Sequence, residues 1–303
     1  MTTTTSLPRS ATTGFIGLGN MGSPMAQNLA AGAPGSVVVT GRSRERARRV
    51  IDAGAAWAES PRELVDRASV VLLMVPDLPE VESLLLREDG LLASGADDAI
   101  VVVCSTVSAD GIRSLAERVR AESDGRVRLV DAPVSGGTEG AEAATLSIMV
   151  GGETPDVDLV LPVLRRLGAP VHLGPLGAGC VAKSCNQMIV AATMTAIAEA
   201  CVVAERSGLE LAALLPVLAR GYAGSRVLET KWERIVAHDY TLGGAAAYMA
   251  KDLRFASAAA AATATATPQL DALLGVFTDL TERGMGADDV AVIHRWVRET
   301  ARI

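Results

Sequence analysis

Gly14-Phe15-Ile16-Gly17-Leu18-Gly19-Asn20-Met21-Gly22 is the stretch on which the reading of this chain turns. A short apolar run passes into a glycine-rich turn, and Ser23 to Ala31 continues with Met25, Ala26 and Leu29 at helical spacing. Strand, G-x-G-x-x-G turn and helix in that order form the setting in which the motif has a physical meaning. Gly17 permits the tight turn, Gly19 lets the backbone approach a pyrophosphate, and Gly22 allows helix and strand to pack closely. The helix start adds partial positive charge. Gly17, Leu18, Gly19, Asn20, Met21 and Gly22 are therefore cofactor-binding candidates.

Outward from the turn, Val37-Val38-Val39-Thr40 reads as a second strand, ending where a dinucleotide fold reads the adenosine ribose. A carboxylate there would select NAD. The chain instead has Gly41-Arg42-Ser43-Arg44, so Arg42 and Ser43 are candidates for a 2′-phosphate, with NADP preferred over NAD as cofactor. The competing reading gives these arginines to a solvated helix face.

Val70 to Val75 and Ala99 to Cys104 are continuous apolar runs rich in β-branched residues, the pattern of strands buried on both faces. Helical patterns at Glu80 to Leu86 and Asp110 to Glu122 separate the strands, giving a mostly parallel sheet with right-handed crossovers. Ligands bind outside the carboxyl ends of such strands, which makes Val75, Pro76 and Thr106 cofactor-contact candidates. A further strand from Val127 runs into Asp131-Ala132-Pro133-Val134-Ser135-Gly136-Gly137. A serine hydroxyl followed by two glycine amides suits a carboxylate; a plain turn is the alternative. Thr145 to Gly152 alternates as a strand and Val171 to Gly174 is a last short one, in which His172 reads as structural.

Gly177-Ala178-Gly179-Cys180-Val181-Ala182-Lys183-Ser184-Cys185-Asn186-Gln187 opens the longest apolar helix pattern. Lys183, Asn186 and Gln187 recur at helical spacing on one face. After Ser207-Gly208 only helical patterns follow, at Leu209 to Leu218, Ser225 to Ala237, Tyr248 to Ala266, Leu270 to Arg283 and Asp288 to Thr300. The Ala-rich tract Ala256 to Ala266 reads as a buried interdomain or intersubunit helix, because alanine favours helix and close packing.

The 303 residues suffice for two domains, and 49% apolar with 21% charged residues indicates packed globular structure rather than disorder. A net charge of −7 lacks the basic surplus that nucleic acid needs. No uninterrupted strongly apolar stretch suggests a membrane span, and Met1 to Thr13 lacks a secretory apolar core, so a cytoplasmic protein with a disordered tail at 1–13 is expected. Cys104, Cys180, Cys185 and Cys201 show no zinc or disulfide spacing and read as buried free thiols; no metal is expected.

Five motifs together resemble the β-hydroxyacid dehydrogenases, which include 3-hydroxyisobutyrate dehydrogenases and tartronate semialdehyde reductases. The resemblance spans nearly the whole chain. It is carried by Gly17 to Gly22 with Met25-Ala26 and Asn28-Leu29, by Asp131 to Gly137, by Gly177 to Asn186, by Lys251-Asp252-Leu253 and by Asp288 to Ile293. It implies a Rossmann-type doubly wound α/β domain at 14–176, a long interdomain helix at 177–207 and an all-helical domain at 208–303. It further implies Lys183 as the catalytic lysine, Ser135, Gly136 and Gly137 as the receptor of a substrate carboxylate, and Lys251 as a residue reaching the active site from the second domain. Two positions depart from the family pattern. Gln187 replaces a second asparagine that contacts substrate, which points to a different substrate size or pose, and Ala144 replaces a glycine.

The mechanism so implied is hydride transfer between a nicotinamide and a small 3-hydroxy acid or its semialdehyde, with Lys183 exchanging the proton and Asn186 and Gln187 orienting substrate oxygens. A lysine must give up its proton from about 10.4 to act as a base near neutrality, and a place at the positive end of a helix helps. The rival readings are an imine or enamine reductase on a related scaffold and a non-catalytic cofactor-binding protein. A homodimer or homotetramer is expected from the apolar helical second half.

Overall fold

The computed structural model describes residues 12–93, 98–241 and 243–300. Residues 1–11 of the expected tail lie outside these; Thr13 is already the buried first residue of a strand. The chain divides after Lys183 into two compact units.

The first unit carries the strands β1 (Thr13–Ile16), β2 (Val37–Thr40), β3 (Ala56–Trp57), β4 (Val70–Leu73), β5 (Ala99–Val103), β6 (Val127–Asp131), β7 (Val134–Ser135), β8 (Leu146–Gly151) and β9 (Gly168–Gly174). They form one sheet in the order β3-β2-β1-β4-β5-β6-β8-β7, with β9 pairing β8. From β3 to β6 every pairing is parallel, and β8 runs antiparallel to β6 and β7. The helices between them are α1 (Gly22–Gly32), α2 (Arg48–Asp52), α3 (Pro61–Arg67), α4 (Leu78–Leu86), α5 (Ala109–Glu122), α6 (Gly137–Glu142) and α7 (Thr154–Leu164).

This is the doubly wound Rossmann architecture expected. Fully buried runs such as Val70–Leu73 and Ala99–Val103 hold the middle of the sheet, because residues alternate sides and both sides are covered. Phe15, Leu29 and Leu72 belong to the core on one face, Leu64, Leu73 and Ile112 to that on the other. Each such side chain contributes about 1.5–3 kcal/mol by leaving water. Helix starts are set by local chemistry: Ser60, Asp77 and Ser108 accept from the amides of Glu63, Glu80 and Gly111.

Helix α8 (Ala178–Arg206) begins in the first unit and continues in the second, where α9 (Leu211–Arg220), α10 (Arg226–Ala237), α11 (Ala246–Ala262), α12 (Pro268–Leu280) and α13 (Ile293–Glu299) follow. The second unit is all-helical among its described residues. Its core gathers Met194, Ala198, Leu253, Phe277 and Leu280. By length and composition α8 is apolar enough to cross a membrane, yet half of its apolar window is packed inside the chain, as in a core helix.

Three expectations change. The Ala-rich tract is not buried within the chain: Ala256 is, but Ala261 to Ala266 are exposed and the helix stops at Ala262. Alanine favoured the helix there, and burial of the tract between subunits is the part of the expectation this leaves open. Cys185 is exposed, while the other three cysteines are buried. Ala144, whose replacement of the family's glycine suggested a packing variation, stands at φ 54°, in the left-handed region where glycine is at ease, so the change is a matter of backbone strain of about 1 kcal/mol.

Candidate active site

The glycines of the turn behave in two ways. A Cβ on Gly17, which has φ +102°, would lie 2.2 Å from the Met74 carbonyl oxygen, and one on Gly22 would lie 1.8 Å from the oxygen of Gly17. The protein's own backbone excludes side chains at both. Gly19 is different: nothing lies within 4 Å of where its Cβ would be. That open approach over Gly19, at the start of a helix with no side-chain cap and no acid in its first turn, fits a pyrophosphate. Leu18, Asn20 and Met21 complete the turn.

At the tip of β2, Arg42 is exposed and meets Glu80 at 3.2 Å, while Ser43 follows it. The ends of β4 and β5 are tied together, since the buried Ser105 hydroxyl accepts from the Val75 amide at 3.0 Å. Val75, Pro76 and Thr106 are thereby fixed at the carboxyl edge of the sheet, where a dinucleotide lies in this fold. Ser105 escapes the sequence motifs; its place directly after an apolar run is the available signal.

Farther along the same sheet, β6 ends at the fully buried Asp131. One carboxylate oxygen accepts from the Gly177 amide and the other from the Cys180 amide, both at 2.7 Å. A carboxylate on the edge of the sheet thus caps the start of α8. Burial pushes the Asp131 carboxyl above the ordinary range, and the two amides pull it back. Burial and then the Asp131 charge push the Cys180 thiol up as well. The contact is close enough that a Cβ on Gly179 would sit 2.1 Å from the Met149 oxygen and 2.8 Å from an Asp131 oxygen.

This cap changes one sequence argument. The positive end of α8 is already met by a buried carboxylate, so it is not free to disfavour an ammonium at Lys183. What the cap does supply is position. Two turns on, Lys183 is 7% exposed and its Nζ donates to the Val134 carbonyl at 2.8 Å. Val134 directly precedes Ser135, Gly136 and Gly137, so the lysine meets the same stretch of backbone that carries the expected carboxylate receptor. That loop is held from below: Asn28 of α1 donates to the carbonyls of Ala141 and Glu142, at 2.8 and 3.1 Å, at the far end of α6. His172 meets the Gly152 and Gly174 carbonyls at 3.0 and 2.9 Å, the structural role expected of it.

In the second unit a polar chain runs between α8 and α11. Asn186 donates to the Gln187 side-chain oxygen at 2.8 Å, and Gln187 donates to Asp252 at 2.7 Å. Lys251 lies 3.6 Å from Asp252, with its Nζ 5.7 and 5.5 Å from the ring centres of Tyr248 and Phe255. Gln187, 9% exposed, is occupied by this chain; its extra methylene reaches Asp252. Asp252 is a site neighbour whose partnership with residue 187 no local spacing announces.

Residues 12–184 match the NAD binding domain of 6-phosphogluconate dehydrogenase, and residues 177–297 match the NAD-binding segment of NADP-dependent 3-hydroxyisobutyrate dehydrogenase. The chain belongs to the β-hydroxyacid dehydrogenase family. It is an oxidoreductase with a nicotinamide dinucleotide as cofactor. Among its relatives, an NAD-dependent L-serine dehydrogenase of Pseudomonas aeruginosa is 37% identical over 93% of this chain and 96% of that protein. A 2-hydroxy-3-oxopropionate reductase of Escherichia coli is 37% identical over 80% and 82%. The solved structure of a Mycobacterium tuberculosis 3-hydroxyisobutyrate dehydrogenase with L-serine has a TM-score of 0.79 and 31% identity, covering 95% of this chain and 99% of that one.

Proposed function

We propose that this β-hydroxyacid dehydrogenase interconverts a small 3-hydroxy acid and its semialdehyde, with Lys183 as general acid and base. The observation that carries the reading is the Lys183 ammonium on the Val134 carbonyl, one residue before the Ser135-Gly136-Gly137 receptor. Such adjacency places a proton carrier beside the point where a substrate carboxylate would be anchored, the arrangement a hydroxyl on the third carbon requires. When bound, the dinucleotide takes the hydride from the carbinol carbon or returns it to the carbonyl. In the oxidation direction Lys183 Nζ, in its neutral form, takes the hydroxyl proton; in reduction the ammonium gives it back. The Val134 carbonyl accepts from the nitrogen in either state and holds its direction. Ser135 and the amides of Gly136 and Gly137 bind the carboxylate, and the substrate-contacting roles of Asn186, Gln187 and Lys251 follow the family pattern.

NADP is the preferred dinucleotide, because the chain leaves β2 through Gly41, Arg42 and Ser43 with no acidic residue there, and among the described residues Arg42 is held only by the Glu80 carboxylate at 3.2 Å. The substrate class is supported by the relatives' names, among which serine, 3-hydroxyisobutyrate and 2-hydroxy-3-oxopropionate are all three-carbon 3-hydroxy or 3-oxo acids or close analogues. The test is a panel of L-serine, 3-hydroxyisobutyrate and glycerate with NADP and NAD, and of small semialdehydes with the reduced forms, for the wild type and Lys183→Ala. Turnover of at least one pair, lost in Lys183→Ala with dinucleotide binding kept, is expected. Near-normal turnover by that variant overturns the role of the lysine, and reduction of cyclic imines with no activity on the acids overturns the substrate class.

A further inference from the structure

Two of the chain's three histidines meet in the second unit, and neither has a role in the reading above. His238 follows α10 in a left-handed conformation, and His294 is fully buried in α13. Their rings stack 9° from parallel with centres 5.5 Å apart. Each Nδ1 approaches the Tyr240 hydroxyl, at 3.3 Å from His238 and 2.9 Å from His294. Each Nε2 approaches the Glu205 carboxylate of α8, at 4.0 Å from His238 and 3.5 Å from His294. The ligand atoms of all three residues lie within 4.8 Å of one another.

The phenol oxygen has two lone pairs and can accept from both Nδ1–H groups. Both Nε2 atoms then carry a lone pair on the Glu205 side, which is the tautomer a metal requires, and on His238 the Arg298 guanidinium stands 3.3 Å from it until displaced. His294 Nε2 agrees with this: it is buried, faces the Glu205 carboxylate at 3.5 Å and makes no well-formed hydrogen bond. We propose that Glu205, His238 and His294 form a divalent transition-metal site of zinc type, with Tyr240 as the group that orients both rings. Two imidazoles and a carboxylate are a zinc donor set, and metal–ligand lengths of about 2.0–2.2 Å put tetrahedral ligands roughly 3.3–3.5 Å apart. The His294–Glu205 separation already meets that value. His238 is exposed and must close in on both, which its place at a helix end permits.

Arg298 is the group that opposes the site. Its guanidinium lies 3.5 Å from Glu205 and 3.2 to 3.3 Å from the two ring nitrogens of His238. It is half-exposed and lines, with Val202, Glu205 and Arg206, an opening to solvent. A dication entering there repels it outward, and Arg298 thus serves as the counter-ion of Glu205 when no metal is bound. The site would join the end of α8 to α10 and α13, so its effect is a clip on the second unit rather than a part in catalysis.

The experiment is titration of the full chain, stripped with chelator, with Zn2+ against a chromophoric chelator, together with thermal unfolding. One equivalent bound in the micromolar range or tighter and a raised Tm are expected. His238→Ala and Glu205→Gln should weaken binding by at least an order of magnitude, Arg298→Ala should tighten it, and His172→Ala should leave it unchanged. Because His238 and Glu205 are not fully buried, these variants test the site even if His294→Ala fails to fold. Binding weaker than millimolar, or binding indifferent to His238→Ala and Glu205→Gln, overturns the proposal and leaves the cluster as a histidine pair on a salt-bridged carboxylate.

Discussion

Removing the Asp131 carboxylate tests whether the sheet edge holds the lysine helix in place. In Asp131→Ala the Gly177 and Cys180 amides, both bonded at 2.7 Å in the native protein, lose their acceptor. A buried donor left without a partner costs about 1–3 kcal/mol, so two cost about 2–6 kcal/mol. Asparagine keeps one acceptor oxygen, and Asp131→Asn should cost about half as much. That is a large share of the roughly 5–15 kcal/mol that holds a domain together. Hydrogen exchange resolves the effect locally: amides from 177 to 183 should exchange at least about 30-fold faster in Asp131→Ala, the factor that 2 kcal/mol corresponds to. Turnover should fall with it, because the Lys183 bond to Val134 is placed by that first turn, and Asp131→Asn should recover part of both. Exchange within about threefold of wild type in Asp131→Ala would refute the reasoning, since the carboxylate would then not be what fixes the helix start.

Two other outcomes follow from the geometry. Gly19→Ala should fold normally and bind the dinucleotide about tenfold or more weakly, whereas Gly17→Ala should lose stability before binding can be measured, because a Cβ there meets the Met74 backbone; calorimetry and fluorescence titration separate the two. Of the four cysteines, exposed Cys185 should react with a thiol reagent in the native protein near neutral pH. Cys104, its thiol pushed up to about 12 by burial, and Cys201, pushed up to about 11, should react only on unfolding, and raising the pH to 9 should not release them. Mass spectrometry of labelled peptides checks this.

The Rossmann half was legible because its strands are continuous β-branched runs, a pattern that few folds besides a doubly covered sheet call for, and because the glycine turn sits between a strand and a helix. The two-residue strands Ala56–Trp57 and Val134–Ser135 are too short to show any period. The start of β9 was hidden by Pro170, which breaks the apolar run two residues after the strand begins. Lys183, Ser135 and Asn186 are candidates through local spacing and family likeness, and the structure brings Lys183 to the backbone beside Ser135. What spacing could not show are bonds between distant segments: Asp131 with the start of α8, Gln187 with Asp252, and Glu205 with His238 and His294. Each joins groups far apart in the chain whose meeting depends on how strands and helices pack, and no short pattern records that.

The three glycines of the turn differ in what guards them, and this bears on how relatives should diverge. Gly17 and Gly22 are fixed by the chain's own backbone, so any descendant that keeps the fold must keep them. Gly19 is guarded only by a visitor. In a lineage that gave up its nucleotide, selection at that single position would lapse first, and a side chain would grow into the space. A relative with the outer glycines intact and the middle one replaced would thus be recognisable as one that no longer holds a nucleotide, and at 19 this chain keeps the opening that a nucleotide needs.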